Sequence, residues 1–242
     1  METLIGQVAV LTGASSGIGR AIALGLAAQG VKLCLLGRNL ETLQTVAAIA
    51  LETSPKVVCY AIDLTIDEDI RKLKTNLERD FEQIDLLIQS AGMFSMGTLQ
   101  TSSVQELDLL YRVNVRAPYL LTQTLLPMLL SSSGQILFIN SSVINSPRAN
   151  LGQYAATQHA LKAIADSLRE EVNVEQIRVI NVFPGRTATP LQARIHEIEG
   201  KPYHPERLMQ PDDVADVVIN ALSLPRTAEV TDINIRPFAK PL

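Results

Sequence analysis

Seven short apolar runs, separated by stretches with helical periodicity, constrain the fold of this chain more than any other feature. The runs are apolar at consecutive residues rather than at alternate ones, which is typical of strands in a parallel sheet covered on both faces. They lie near residues 7–12, 32–36, 56–61, 84–89, 134–140, 177–183 and 230–235. The pattern predicts an α/β fold built on one doubly wound parallel sheet of about seven strands, with helices on both faces.

Composition narrows both the organisation and the partners. The chain has 242 residues, 47% hydrophobic and 19% charged, which suits a single domain over residues 1–242. A net charge of −4 without a basic run argues against nucleic acid or an anionic membrane as a partner. No segment approaches the roughly 20 apolar residues of a membrane span, and the N-terminus does not resemble a signal peptide. We therefore expect a soluble cytoplasmic protein with a small-molecule ligand.

The two cysteines carry no predicted chemistry. Cys34 and Cys59 lie inside apolar runs, and their spacing is not that of metal ligands. Small buried hydrophobic side chains are the favoured interpretation. The sequence predicts no metal site.

A glycine-rich turn joins the first strand to the first helix. Three glycines at this spacing let the backbone turn sharply, approach a ligand closely and start a helix whose N-terminus favours an anion. Glycines also mark ordinary strand-to-helix turns, but this position is where a doubly wound fold binds a dinucleotide. The residues predicted to bind cofactor here are Gly13, Ser15, Ser16, Gly17, Ile18 and Gly19.

The end of the second strand favours NADP(H) over NAD. An acidic residue there would accept the ribose 2′-hydroxyl of NAD, but the chain has Gly37 and Arg38 instead. A guanidinium suits a 2′-phosphate, although Arg38 could also be a solvated loop residue. Further residues at strand ends are predicted to contact the cofactor, namely Asp63, Leu64, Ser90, Ala91 and Gly92.

One segment departs from the alternation of strands and helices. Residues 187–210 replace apolar runs by prolines and charges, which predicts a mobile lid over the site. His196 and His204 lie in it, and surface exposure is favoured over substrate contact for both.

The long helices at 103–131 and 153–172 are apolar on more than one face. Burial within the domain would explain this, as would a helix-to-helix interface in a homodimer or homotetramer.

The order and spacing of several polar residues identify a family. The glycine turn, Ser90-Ala91-Gly92, Asn114, Ser141, Tyr154 and Pro184-Gly185 resemble the classical short-chain dehydrogenases/reductases over nearly the whole chain. The resemblance implies a Rossmann-type sheet, a nicotinamide cofactor, and oligomers that are usually dimers or tetramers. It also implies an Asn-Ser-Tyr-Lys tetrad.

The resemblance also implies residue roles. Ser141 would polarise a substrate carbonyl, Tyr154 would donate a proton to the developing alkoxide, and Asn114 would hold a relay water. Ser142 is a neighbouring alternative to Ser141, but Ser141 has the better spacing. After Pro184 and Gly185, the resemblance implies that Thr187 contacts the cofactor carboxamide and Thr189 the pyrophosphate.

Gln158 departs from the family pattern, which has lysine four residues after the tyrosine. Residues i and i+4 share a helix face, so Gln158 points towards Tyr154 and the cofactor ribose. An ammonium there would favour phenolate by roughly 4 kcal/mol, whereas an amide leaves the pKa of Tyr154 nearer its ordinary value of about 10. Lys162 is one turn too far to substitute, and His159 points about 100° around the helix.

The sequence thus predicts an NADP(H)-dependent oxidoreductase that reduces a ketone or aldehyde, with a carbonyl or alcohol compound as its substrate pair. Reduction is favoured because it needs a protonated phenol, whereas alcohol oxidation needs a phenolate. The alternative is a catalytically impaired NADP(H)-binding sensor or interaction protein, which Gln158 alone supports. An engineered substitution at this position would give the same sequence.

Overall fold

The apolar runs form one seven-stranded parallel sheet in the computed structural model, which describes residues 3–238. The strand order is β3-β2-β1-β4-β5-β6-β7. The strands are β1 Val8–Thr12, β2 Lys32–Gly37, β3 Val57–Ala61, β4 Leu86–Gln89, β5 Gln135–Ile139, β6 Arg178–Pro184 and β7 Asp232–Ile235. The predicted doubly wound parallel sheet is confirmed.

Helices connect the strands and cover both faces of the sheet. They are α1 Gly17–Ala28, α2 Leu40–Ala50, α3 Asp67–Asp80, α4 Val104–Tyr111, α5 Ala117–Leu130, α6 Gly152–Val172, α7 Pro190–Ile198 and α8 Pro211–Leu222. Successive strand residues point to opposite faces, so Leu11 packs in a core with α1, α2 and α8. Val10 packs in a second core with α3, α5 and α6. Burial on both faces explains why the inner strands β1 and β4 are apolar at nearly every residue. The edge strand β7 instead alternates polar and apolar residues and is only partly buried.

A π-helical turn interrupts the long helical region predicted at 103–131. It spans Arg112–Arg116 and joins α4 to α5 without a loop. The turn buries Asn114 and Val115. A π-turn adds a residue to the helical ladder and is common at functional sites. Helical periodicity alone does not predict it, because the apolar pattern continues on both sides.

The predicted lid at 187–210 is folded in the structure. It contains α7 and a short 3₁₀ turn at Pro205–Arg207. The backbone of Thr187 pairs with that of Met209 in an isolated parallel bridge, which brings the two ends of the segment together. The mobility of this segment stays a prediction.

The cysteines occupy the places predicted for them. Cys34 is fully buried and Cys59 partly buried, both as free thiols. Burial raises the pKa of each thiol, so both side chains are neutral at physiological pH. Among residues 3–238, no helix is both long and apolar enough to cross a membrane. The same residues hold no cluster of three or more His, Cys, Asp or Glu side chains arranged for a metal ion.

Candidate active site

All of the predicted site residues follow the carboxyl ends of strands or lie on helices that face this edge. Because every strand is parallel, the segments after β1, β2, β3, β4, β5 and β6 meet along one edge of the sheet. This edge is where an open α/β sheet binds its ligand. The topology therefore gathers side chains that are far apart in sequence.

The turn after β1 requires glycine for conformational and steric reasons. Gly13 and Gly17 have φ angles of +67° and +54°, which disfavour other residues. A Cβ atom on Gly19 would lie 2.3 Å from the carbonyl oxygen of Gly13, so α1 packs directly on the turn. Ser16 is the residue before α1, and no side chain caps the helix there. The turn thus combines a close backbone approach with an uncapped helix N-terminus, which fits a pyrophosphate.

Thr12 ties the glycine turn to the end of β4, although the sequence analysis did not single it out. Its hydroxyl accepts hydrogen bonds from the backbone N–H groups of Ser90 and Ala91, both at 3.0 Å. A Cβ atom on Gly13 would lie 2.9 Å from the nitrogen of Ala91, so the two segments are in contact. The sequence signal that could have identified Thr12 is a polar residue at the end of an apolar run. The structure brings these predicted cofactor-binding segments together.

Asn114 faces the segment that follows β4. Its Oδ1 accepts from the backbone N–H of Met93 at 2.7 Å, and its Nδ2 donates to the carbonyl of Met93 at 2.8 Å. The same Nδ2 lies 3.1 Å from the hydroxyl of Thr157 on α6. Asn114 therefore links the π-turn, the segment after Gly92, and α6. Its role in holding a water stays a prediction.

Ser141 and Tyr154 are brought together by β5 and the first turn of α6. Burial raises the pKa of Tyr154 above its ordinary value, and the interaction with the Ser141 hydroxyl lowers it by a smaller amount. The interaction with Tyr154 favours Ser141 over its neighbour Ser142. The ring of Phe94 packs edge-on against Tyr154, with centroids 5.0 Å apart. Tyr154 is therefore a neutral phenol at physiological pH.

Gln158 lies one helical turn after Tyr154 and is only 4% exposed. Within residues 3–238, its side-chain amide makes no hydrogen bond, so the amide is available to a ligand at this edge. Its backbone carbonyl accepts from Nδ2 of Asn140 at 3.1 Å, and Oδ1 of Asn140 accepts from the N–H of Ser141 at 2.7 Å. Asn140 thus connects β5 to α6. The sequence analysis missed Asn140, because nothing in the neighbouring sequence shows that this strand-end asparagine contacts α6.

Lys162 and His159 do not complete the site. The ammonium of Lys162 donates to Asp166 at 2.5 Å and lies 3.7 Å from Asp232, so it belongs to a separate ion-pair cluster. His159 is exposed, and its Nδ1 lies 2.8 Å from the carbonyl of Ala155. Both observations agree with the expectation that neither residue replaces a lysine at position 158.

Arg38 and Asp63 lie at neighbouring strand ends. Arg38 is exposed after β2. Hydrogen bonds from the backbone N–H and hydroxyl of Thr65, both 2.8 Å long, lower the pKa of Asp63, and the charge of Arg38 adds to this. Leu64 is half-buried against the core beneath. The arrangement leaves a guanidinium accessible at the edge where the sequence predicts a 2′-phosphate.

The segment after β6 reaches back to the glycine turn. Pro184 ends β6, and the N–H of Gly185 donates to the carbonyl of Ile235 at 2.8 Å. Thr189 caps α7 by accepting from the N–H of Gln192 at 3.1 Å. A Cβ atom on Gly17 would lie 3.1 Å from the methyl carbon of Thr189, so two predicted pyrophosphate contacts are adjacent.

The expectation of surface exposure is wrong for His196. It is 6% exposed, because α7 turns this side chain towards Arg186 and Tyr203. Exposure holds for His204, whose Nδ1 lies 3.2 Å from a carboxylate oxygen of Glu206.

Comparison with known proteins agrees with this geometry. Residues 7–200 match the short chain dehydrogenase family. An uncharacterised oxidoreductase of Staphylococcus epidermidis is 34% identical over 96% of this chain and 97% of its own length. A metagenomic short-chain oxidoreductase in complex with NADP is 31% identical, with a TM-score of 0.85 over 99% of this chain and all of its own. An alcohol dehydrogenase from Thermococcus sibiricus, complexed with 5-hydroxy-NADP, is 27% identical, with a TM-score of 0.87 over 98% and 99% of the two chains.

Family match, relatives and sheet topology lead to the same conclusion, and the chain is an oxidoreductase that belongs to the short-chain dehydrogenase family.

Proposed function

We propose that this protein reduces a ketone or aldehyde with NADPH, using Tyr154 as the proton donor. The observation that carries the proposal is the contact between the Tyr154 phenol and the Ser141 hydroxyl, at the sheet edge that also carries the glycine turn. A phenol held protonated at neutral pH suits proton donation to a developing alkoxide. It does not suit abstraction of a proton from an alcohol.

The residues at this edge fit a nicotinamide dinucleotide. The uncapped N-terminus of α1 and its glycine turn would hold the pyrophosphate, and Arg38 would contact a 2′-phosphate. NADPH supplies a hydride when bound. Two relatives are described as complexes with NADP or a derivative, which supports the same cofactor class. The choice of NADP over NAD rests on Arg38 and on the lack of an acidic residue there.

The catalytic groups act by orienting and protonating the substrate carbonyl. Ser141 donates a hydrogen bond to the carbonyl oxygen, and Tyr154 transfers its proton to that oxygen as negative charge develops. Gln158 would donate an amide N–H to a ribose hydroxyl of the bound cofactor, and it brings no charge. Apolar side chains near the site favour a hydrophobic substrate, namely Met93, Phe94, Ile144 and Leu151.

NADPH consumption against a panel of ketones and aldehydes tests the proposal. Turnover by the wild-type chain that is lost in Tyr154→Phe, with cofactor affinity retained, is the expected result. Cofactor binding without turnover for any carbonyl would instead favour the sensor or interaction protein. Gln158 is the observation behind this second candidate. Turnover by Gln158→Lys alone would then show that the missing charge causes the inactivity. No turnover by either protein would show that the panel lacks a suitable substrate.

Arg38→Ser tests the cofactor preference. Loss of one bidentate phosphate contact should weaken NADPH binding by about tenfold to a hundredfold, and NADH binding should change less. Lys72→Ser is the control, since Lys72 is 68% exposed on α3. A wild-type preference for NADH would contradict the role given to Arg38.

We also propose that the chain forms a homodimer or homotetramer through its long helices. Leu109, Tyr111 and Tyr119 are 42%, 51% and 53% exposed along α4 and α5. Aromatic side chains are enriched in protein interfaces. Sedimentation equilibrium should give two or four copies, and a monomer at micromolar concentration would refute the assignment.

A further inference from the structure

Three polar side chains form a compact cluster between the end of β6 and the C-terminal end of α7. Arg186 donates two hydrogen bonds from one guanidinium nitrogen to the carboxylate of Glu199, at 2.7 and 2.8 Å. The other terminal nitrogen of Arg186 lies 3.2 Å from Nε2 of His196. The side chains of Arg186 and Glu199 are 20% and 13% exposed, and His196 is 6% exposed. Screening by solvent is therefore weaker here than for a surface pair.

The donor and acceptor roles in this cluster are determined by arginine. A guanidinium only donates, so Nε2 of His196 must accept and its Nδ1–H must donate. The carbonyl of Gln192 lies 2.8 Å from Nδ1, in place to accept that proton. Tyr203 packs edge-on against the imidazole, with centroids 5.3 Å apart, and Lys201 lies 3.3 Å from Glu199 at the rim. The side-chain amide nitrogen of Gln192 also lies 3.1 Å from Nδ1. Because Nδ1 carries the hydrogen in this tautomer, it cannot accept from that amide, and the Gln192 carbonyl is its partner.

The cluster is joined through Arg186 to residues 185–189, the segment that contacts the cofactor in the proposed function. Arg186 stands between Gly185 and Thr187 in the chain. On the other side, the backbone of the same segment is fixed by hydrogen bonds from Ala188 N–H to the carbonyl of Met209 at 2.7 Å, and from Met209 N–H to the carbonyl of Arg186 at 3.3 Å. Residues 185–189 are therefore held both by backbone pairing and by a side-chain ion pair.

We propose that Arg186, His196 and Glu199 are positioning residues that hold residues 185–189 in place for the nicotinamide end of the cofactor. We call this cluster the α7 latch. The proposal rests on the proposed function, since it assumes that the backbone of Thr187 meets the nicotinamide carboxamide. The latch contributes no group to the reaction. It fixes the loop so that binding of the nicotinamide does not have to order it.

The latch predicts a selective loss of nicotinamide binding. Glu199→Gln removes the charge and one acceptor oxygen. Glu197→Gln changes an exposed carboxylate two residues earlier, in the last turn of α7, and serves as the control. Arg186→Lys is a second variant that keeps the charge but loses the forked geometry. Affinity is measured for NADPH and for 2′-phospho-ADP-ribose, which lacks the nicotinamide. Thermal unfolding of each variant confirms that the comparison concerns folded protein.

In Glu199→Gln and Arg186→Lys, the dissociation constant for NADPH should rise about tenfold. That for 2′-phospho-ADP-ribose should change less than twofold, and Glu197→Gln should match the wild type. Equal losses for both ligands, or no loss for either, would overturn the latch and leave the reductase proposal intact. A wild-type chain that binds neither ligand would overturn the proposed function and the latch with it.

Discussion

The protonation state of Tyr154 predicts opposite pH profiles for the two directions of the reaction. Burial raises the pKa of this phenol above its ordinary value of about 10, and the Ser141 hydroxyl offsets only part of the rise. At about pH 7, fewer than roughly 0.1% of the molecules carry a phenolate. Carbonyl reduction should therefore be nearly independent of pH between about 6 and 9. Alcohol oxidation should rise about tenfold per pH unit between about 7 and 10, because the phenolate fraction does.

Gln158→Lys should shift the oxidation profile towards lower pH. An ammonium about 4 Å from the phenol, at an effective dielectric constant of about 20, favours the phenolate by roughly 4 kcal/mol, or about three pKa units. Position 158 is 4% exposed, so desolvation also disfavours the ammonium and opposes part of this effect. We expect oxidation at about pH 7 to increase roughly 100-fold. Gln158→Met is the control, since it keeps the side-chain length and removes the amide.

Initial rates of alcohol oxidation with NADP⁺ provide the assay, measured for the three proteins across the same pH range. Carbonyl reduction measured in parallel shows whether a variant has lost cofactor binding rather than altered proton transfer. A wild-type oxidation rate that is flat between about pH 7 and 10 would refute the assignment of a neutral phenol. A lysine variant with an unshifted profile would refute the electrostatic account of position 158.

Three further substitutions test the scaffold of the site. Gly19→Ala places a Cβ atom 2.3 Å from the carbonyl oxygen of Gly13 and should abolish dinucleotide binding, as measured by titration with NADPH. Thr12→Val removes an acceptor that serves two backbone N–H groups and should lower the free energy of unfolding by about 2–4 kcal/mol in urea titration. Phe138→Ala deletes a ring that is 1% exposed and should cost about 3–5 kcal/mol. If a variant keeps the wild-type affinity for NADPH or the wild-type free energy of unfolding, the contact described for that residue is wrong.

The sequence predicted the parts of the fold that depend on local patterns. The strand at 7–12 appears as Val8–Thr12, and the one at 177–183 as Arg178–Pro184. Doubly buried strands carry a signal because they are short runs of consecutive apolar residues bounded by turn residues. The last strand is shorter than predicted, at Asp232–Ile235, since the run at 230–235 begins before the backbone pairing does.

Features that depend on tertiary contacts were not predictable in the same way. The π-turn at Asn114 has no periodicity of its own, and the role of Asn140 requires α6 to lie against β5. His196 looks like a surface residue in a polar segment, yet Arg186 from the preceding loop provides the partner that allows its burial. The identity of these partners is set by how the segments meet in space, which a single sequence does not give.

The position of β1 in the interior of the sheet, between β2 and β4, has a consequence for the newly made chain. β1 pairs with β2 on one side and with β4 on the other, and Val10 faces Leu87 across the second pairing. Leu87 follows Val10 by 77 positions, and ribosomes add about 5–20 residues per second, so extending the chain from one partner to the other takes roughly 4–15 s. During that interval one edge of an apolar strand has no neighbour to pair with. Chaperone binding to nascent chains should therefore peak before β4 emerges and decline once it has done so.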